Sequence, residues 1–328
     1  MKLSRKTFWG LVILLLGGLP LLVLTGLIYR GNRRQILDRA LITAMRKRNI
    51  PAMRALLAKG ADPNARDWPI YGEFIAESLF ESHTDPSKPE TVLMLTIDLT
   101  GENVAMARTL LDAGATPDAT DTIGRSALEC AAQTSKRETA RLLLERGARV
   151  DVADIDGDTA LHMAACQNDV ALVQLLIDGG AHINVRNSDG VLPLHDAALY
   201  GQPAIIGVLL AKGAKVNARD NNGRTPLGNA LQIGNTACVQ QLLARGAQVN
   251  IKDPNGETPL LTAVRIKRTD CVRLLIAAGA QVNTPDRNGW SPLALAQKFL
   301  DKPTIKLLQQ AGAKEIKGTP PPPPTLRE

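Results

Sequence analysis

Aromatic side chains are scarce in this chain, with three Trp, three Tyr and four Phe among 328 residues. A composition so poor in large rings argues against one large globular core and suits thin layers filled by Leu, Val, Ile and Ala. Cysteine is equally sparse, at four, and no disulfide framework is visible in its spacing, as expected for a reducing compartment. No P-loop, dinucleotide fingerprint or nucleophile–base–acid constellation appears, so catalysis has no support and no cofactor is implied. The net charge of +7 resembles a nucleic-acid signal, but its distribution removes that reading. Residues 1–48 hold ten Lys/Arg against the single Asp38, leaving 29 Lys/Arg against 31 Asp/Glu for everything after. The basicity belongs to the N-terminus.

Glycine, by contrast, is periodic. Gly124, Gly157, Gly190, Gly223, Gly256 and Gly289 are each 33 residues apart, and a second series, Gly114, Gly147, Gly180, Gly213, Gly246, Gly279 and Gly312, keeps the same interval and is followed by alanine each time. Two markers in phase mean stacked units. Each unit opens with a turn signal and then a Ser/Thr-Pro/Ala-Leu triplet, such as Thr159-Ala160-Leu161 or Thr225-Pro226-Leu227. The hydroxyl accepts from a free first-turn amide, and proline at the first helical position gives up an N–H that had no partner. A first helix follows, ended by a residue tolerant of positive φ, namely Gly201, Gly234 or Asn168. A second helix carries an aliphatic block such as Val272-Arg273-Leu274-Leu275-Ile276 and stops at the Gly-Ala pair. Helices of about ten residues are marginal alone, so the units must stack to share a core.

These units resemble ankyrin repeats, whose period and T-P-L-H-x-A pattern they match. The resemblance spans residues 39–315 and implies an all-α ankyrin-repeat solenoid of about eight helix-turn-helix units. Five are full, from residue 123 to about residue 286; a shortened last unit begins at Arg287, and two degenerate units lead. The leading Gly-Ala pairs at Gly60 and Gly114 lie 54 residues apart, so the second unit carries an insertion at about residues 68–90. Leu192 replaces the hydroxyl cap, while Lys267 and Leu300 replace the mid-unit glycine, which leaves those helix ends uncertain.

Ahead of the repeats, residues 1–6 form a basic tail and residues 8–29 an uncharged run of 22 residues. As a helix the run spans roughly 33 Å, enough for a bilayer core of about 30 Å, with Trp9 and Tyr29 as interfacial anchors. A single transmembrane helix over 7–29 is therefore expected, followed by a basic juxtamembrane segment at 30–38. A cleaved signal peptide is the rival reading, disfavoured by the length of the run and by the lack of a small-x-small site before Arg30. Basic residues on both sides nearly balance, with a slight excess that favours the solenoid on the cytoplasmic side over a periplasmic or extracellular one. A proline-rich tail, 316–328, closes the chain and is expected to be extended.

His162 with Cys166 makes an i, i+4 pair that suits a metal in principle. No further ligand converges on it as zinc requires, and the ankyrin resemblance makes His162 and His195 structural residues of the T-P-L-H pattern. No metal site is expected. Cys238 and Cys271 share one helix position in adjacent units, too far apart for a disulfide. The cluster Arg265-Ile266-Lys267-Arg268 reads as a solvated turn or a contact for an acidic partner. The insertion holds Trp68, Tyr71, Phe74 and Phe80, four of the seven aromatics outside the apolar run. A helix there would put Tyr71 and Phe74 on one face, serving either as a cap for the first unit or as a binding surface.

By resemblance, ankyrin proteins bind other proteins through turn tips and the inner face of the first helices. That implies Arg125, Asp158, Arg224, Glu257 and Trp290, each one residue past a unit-opening glycine; the aromatic density of the insertion adds Trp68, Tyr71 and Phe74 as candidates. The expected function is a membrane-anchored scaffold that binds another protein and does no chemistry, with no nucleic acid or small-molecule substrate. The competing reading is a regulatory or targeting subunit of a membrane enzyme or transporter, its span making specific contacts.

Overall fold

The computed structural model describes residues 21–66, 90–98 and 103–316. Among them are sixteen α-helices and no strand, only isolated bridges such as Thr120 to Ser126 and Ala153 to Thr159. The chain divides into two compact units, the first holding residues up to 99 with 105–116, the second residues 100–104 and everything from 117.

The first unit contains α1 (Leu21–Arg46), α2 (Ile50–Ala58), α3 (Val92–Asp98) and nearly all of α4 (Val104–Asp112). Its helix starts are capped as the residue types dictate. The Asn49 side chain accepts from the Ala52 N–H at 3.0 Å, and Thr91 Oγ1 from the Met94 N–H at 3.2 Å. Met45, Met53, Met94 and Met106 are all fully buried, so adaptable thioethers fill a core whose repeats are the least regular.

The membrane anchor expected over residues 8–29 is corrected by this structure. Among the described residues no helix is long and apolar enough to cross a membrane. Residues 21–29 are the only part of the run that is described. They continue without a break into the charged stretch containing Arg30, Arg33, Arg34, Asp38 and Arg39. The single-pass placement, the cytoplasmic orientation and the bilayer contact are therefore withdrawn. Residues 1–20 and 317–328, and with them the rest of the run and the proline-rich tail, lie outside the described residues, as does the insertion bearing Trp68, Tyr71 and Phe74.

The second unit is a stack of six helix pairs: α5 (Ala127–Gln133) with α6 (Arg137–Glu145), α7 (Ala160–Cys166) with α8 (Val170–Asp178), α9 (Pro193–Leu199) with α10 (Pro203–Ala211), α11 (Pro226–Ile233) with α12 (Thr236–Ala244), α13 (Pro259–Arg265) with α14 (Thr269–Ala277), and α15 (Pro292–Lys298) with α16 (Lys302–Gln310). First helices pack on first helices and second on second, so α5, α7, α9, α11, α13 and α15 form one layer and their partners another. The core between them is aliphatic, with Leu161, Leu172, Leu194, Leu209, Leu242 and Leu275 fully buried or within 1% of it.

The local grammar holds with instructive exceptions. Ser126, Thr225, Thr258 and Ser291 each accept a first-turn N–H from the residue three further on, at 3.2–3.3 Å. Leu192 has no side-chain acceptor, and there the His195 N–H turns to Leu192 O at 2.8 Å, while His195 Nδ1 accepts from the Leu192 N–H at 3.2 Å. At the mid-unit turn Ser135, Lys267 and Leu300 take the left-handed conformation at φ 55–56°, beside Gly201 and Gly234. Side chains at Lys267 and Leu300 thus leave both helix ends in place at the cost of local strain. Asn168 departs from expectation, for it is not left-handed and the preceding Gln167 is extended at ψ 155°.

Candidate protein-binding face

The unit-opening turns are built by one carboxylate or amide per unit. Asp154 Oδ1 accepts from the N–H groups of Asp156 and Asp158 at 2.9 and 2.8 Å. Asp121, Asn187 and Asp286 do the same in their units, and Asp220 and Asp253 accept from Arg224 and Glu257 at 2.7 and 2.8 Å. Each is an Asx turn that fixes the backbone of the residue past the glycine. Gly190 shows why glycine is required there: φ is +73°, and a Cβ would stand 2.4 Å from Asn221 Oδ1 of the next turn.

Successive turns are also zipped by backbone bonds, from the Ile155 N–H to Ile123 O, Ser188 to Asp156 and Asn221 to Asp189, all 2.8–2.9 Å. The series stops at Pro254, which occupies the next donor position and has no N–H.

A second ladder joins the units on the loop side. Asn217 Nδ2 donates to Gly246 O at 3.2 Å, and its Oδ1 accepts from the Gln248 N–H at 2.8 Å. Asn184, Asn250 and Asn283 repeat this two-way bond to the following unit. In the earlier units Asp118 and Asp151 stand in its place. An ionised carboxylate accepts only, so the glycine carbonyl loses its donor and the spare oxygen instead pairs with a side chain. Asp118 Oδ2 takes Arg149 Nε at 2.9 Å, and Asp151 Oδ2 takes His182.

His162 and His195 are the third device. His162 Nδ1 accepts from the Thr159 N–H at 3.2 Å and Nε2 donates to Val191 O, 3.2 Å away in the next unit. Both histidines are buried, and desolvation holds their pKa values below the usual range. They are neutral struts. The Cys166 thiol donates to His162 O at 3.4 Å, and burial pushes its pKa up to about 12. All four cysteines are free. Among the described residues no cluster of three or more His, Cys, Asp or Glu is arranged to hold a metal.

Glu129 occupies the place of these histidines in its own unit. It is 1% exposed, and its Oε2 has no hydrogen-bond partner. Desolvation, reinforced by Asp154, raises its pKa to about 8, so at neutral pH it carries a proton. Asp196, one residue beyond His195, is likewise pushed up to about 8 by burial and then by Asp158.

On this frame the expected contact residues project from the turn tips. Arg125 is half-buried against Asp121 Oδ2 at 3.2 Å. Asp158 accepts from Asn187 Nδ2 at 2.9 Å, and Arg224 is exposed. Glu257 is ion-paired with Arg265, and the Trp290 ring lies under Lys298 Nζ at 5.1 Å. The tips are thus brought into one column at the edge of the first-helix layer. Sequence reading missed the Asx column and the Asn ladder, although both recur every 33 residues. It also missed the column at the first-helix ends, Thr134, Gln167, Tyr200, Ile233, Ile266 and Phe299, which changes from polar to apolar at Tyr200.

A family model for ankyrin repeats matches the chain three times, at residues 71–154, 148–220 and 227–317. The chain belongs to the ankyrin repeat family. Repeats of this kind form a protein–protein interaction domain, and the family is typically non-catalytic. In this ankyrin chain the matched segments take in the helix pairs of the second unit almost entirely. No curated protein matches it.

Proposed function

We propose that this ankyrin-repeat protein is a scaffold that binds another protein through its turn tips and first-helix face and performs no chemistry. Arg125, Asp158, Arg224, Glu257 and Trp290 carry the recognition, with Trp68, Tyr71 and Phe74 of the insertion as a second contact surface. The observation behind this is that the tips share one backbone geometry, fixed by the Asx turns, yet differ in side chain, with two cationic, two acidic and one aromatic residue. Identical scaffolding with divergent display is what recognition needs. The thiols and histidines support the absence of chemistry, since buried high-pKa thiols are poor nucleophiles and both ring nitrogens of His162 and His195 are already bonded.

The test is capture of partners by the full chain with a photo-crosslinking residue at 224 or 290, compared with one at an exposed second-helix position such as Gln241. Cross-linked partners at 224 and 290 but not 241 support the face. Equal labelling at all three sites removes it.

A further inference from the structure

We propose that the first-helix ends from Tyr200 to Phe299 form a track for an amphipathic α-helix of a partner protein, one whose apolar seam is flanked by acidic residues. This rests on the scaffold reading above and names the partner chemistry. Tyr200 is 57% exposed and Ile233 48%, and Ile266 and Phe299 continue the column half-buried. The same positions in the two preceding units are Thr134 and Gln167, so the apolar character is confined to four consecutive units. Apolar side chains at one register, two exposed and two half-buried, make a contiguous contact surface.

Its spacing selects the occupant. Packed helices stand about 10 Å apart, so the column presents an anchor about every 10 Å over about 30 Å. Seven residues of α-helix rise about 10.5 Å and return to the same face within about 20°. An extended strand covers 10 Å in three residues, which turns the third side chain to the opposite face. A helix with an apolar residue at every seventh position therefore meets all four anchors, and a strand does not.

Charge selects its borders. Arg265, Lys267, Arg268 and Lys298 are exposed beside Ile266 and Phe299. Arg265 is engaged by Glu257 and Asp286, but Lys267, Arg268 and Lys298 have no carboxylate partner among the described residues. A guest helix with glutamates beside its seam supplies those partners. At the other end the surroundings of Tyr200 are anionic, Cys166 first, then burial, then Asp196 and Asp158 raising its pKa, so the acidic flank belongs over Ile233 to Phe299, where the exposed cations lie, and not over Tyr200.

The probe is a dye-labelled peptide of about 25 residues with Leu at every seventh position and Glu beside it, titrated with the full chain by fluorescence anisotropy. Two controls have the Glu replaced by Lys, or the same composition scrambled. The expected result is saturable binding of the first peptide and at least tenfold weaker binding of both controls. Ile233→Asp should lower affinity at least tenfold, and Arg268→Glu should weaken the acidic peptide while strengthening the Lys version, with circular dichroism unchanged. Equal binding of the scrambled or the Lys peptide overturns the proposal, as does no binding by any peptide. If Ile233→Asp instead converts a dimer into a monomer in sedimentation, the occupant is a second copy of this chain and the proposal also fails. Cross-linking at positions 224 and 290 without peptide binding would leave the scaffold reading standing and remove only this inference.

Discussion

The loop-side ladder and the turn-tip column run along the same six units and follow opposite rules. From Asn184 to Asn283 the ladder is one residue type making one two-way bond, 33 residues apart. The tips read Arg125, Asp158, Val191, Arg224, Glu257 and Trp290 over the same interval. Uniformity marks positions where the side chain completes the backbone of the next unit, and variety marks positions where the backbone is complete without the side chain.

The sharpest way to break the contrast is to stop the stack at its centre. Leu209→Pro removes a hydrogen bond inside α10 and clashes with the preceding turn, costing about 3 kcal/mol or more. Limited proteolysis should show the halves opening independently, and cleavage no faster than in the parent would mean that they do not depend on α10.

A gentler break is Asn217→Ala, which leaves Gly246 O and the Gln248 N–H to water. The expected loss is about 2 kcal/mol, measured by urea unfolding. Asn217→Asp should lose about half as much, because it keeps the acceptor and loses only the donor, as Asp118 and Asp151 do naturally.

Glu129 tests the strut position through pH. Its folded pKa is raised to about 8 from 4.5, so its favourable contribution is complete below pH 4.5 and lost as pH rises through 8. Glu129→Gln should therefore raise Tm at pH 9 by about 2–4 °C relative to the parent and change it little at pH 5. His162 and His195 act in the other direction: their pKa values are lowered in the fold, so their contribution is present above pH 6.5 and lost as pH falls below it. A Tm gain from Glu129→Gln that is the same at pH 5 and pH 9 would show that Glu129 does not titrate in the folded chain.

The smallest expected stability effect is at the tips. Arg224→Ala should shift unfolding by no more than about 0.5 kcal/mol, since the Asp220 turn is made by the backbone N–H of residue 224 and not by its side chain. A larger loss would place Arg224 in the frame.

What was legible in the sequence was whatever depends on one residue and its near neighbours. Glycine at positive φ, hydroxyl caps and proline at the first helical position are local, and the helix pairs followed from them. The ladder residues were in view at the same period, but their partners lie 29–31 residues away, and no local rule names a carbonyl in the next unit. The bond from the Leu192 N–H to His195 Nδ1 was hidden for a related reason, because no local cap rule names a ring three residues on. Hydropathy over residues 8–29 misled, since the part of the run that is described, 21–29, belongs to a helix that continues through charged residues to Arg46. The tip residues were named from the ankyrin resemblance, and the apolar column escaped because its four members, Tyr, Ile, Ile and Phe, are not one residue type.

The most direct measurement replaces Arg125, Asp158, Arg224, Glu257 and Trp290 together by alanine in the full chain and follows Tm and partner cross-linking side by side. A Tm within a few degrees of the parent with cross-linking at neighbouring exposed first-helix positions such as Gln232 abolished is the predicted result. Undiminished cross-linking in the folded variant would contradict the assignment of the first-helix face as the surface that holds a partner.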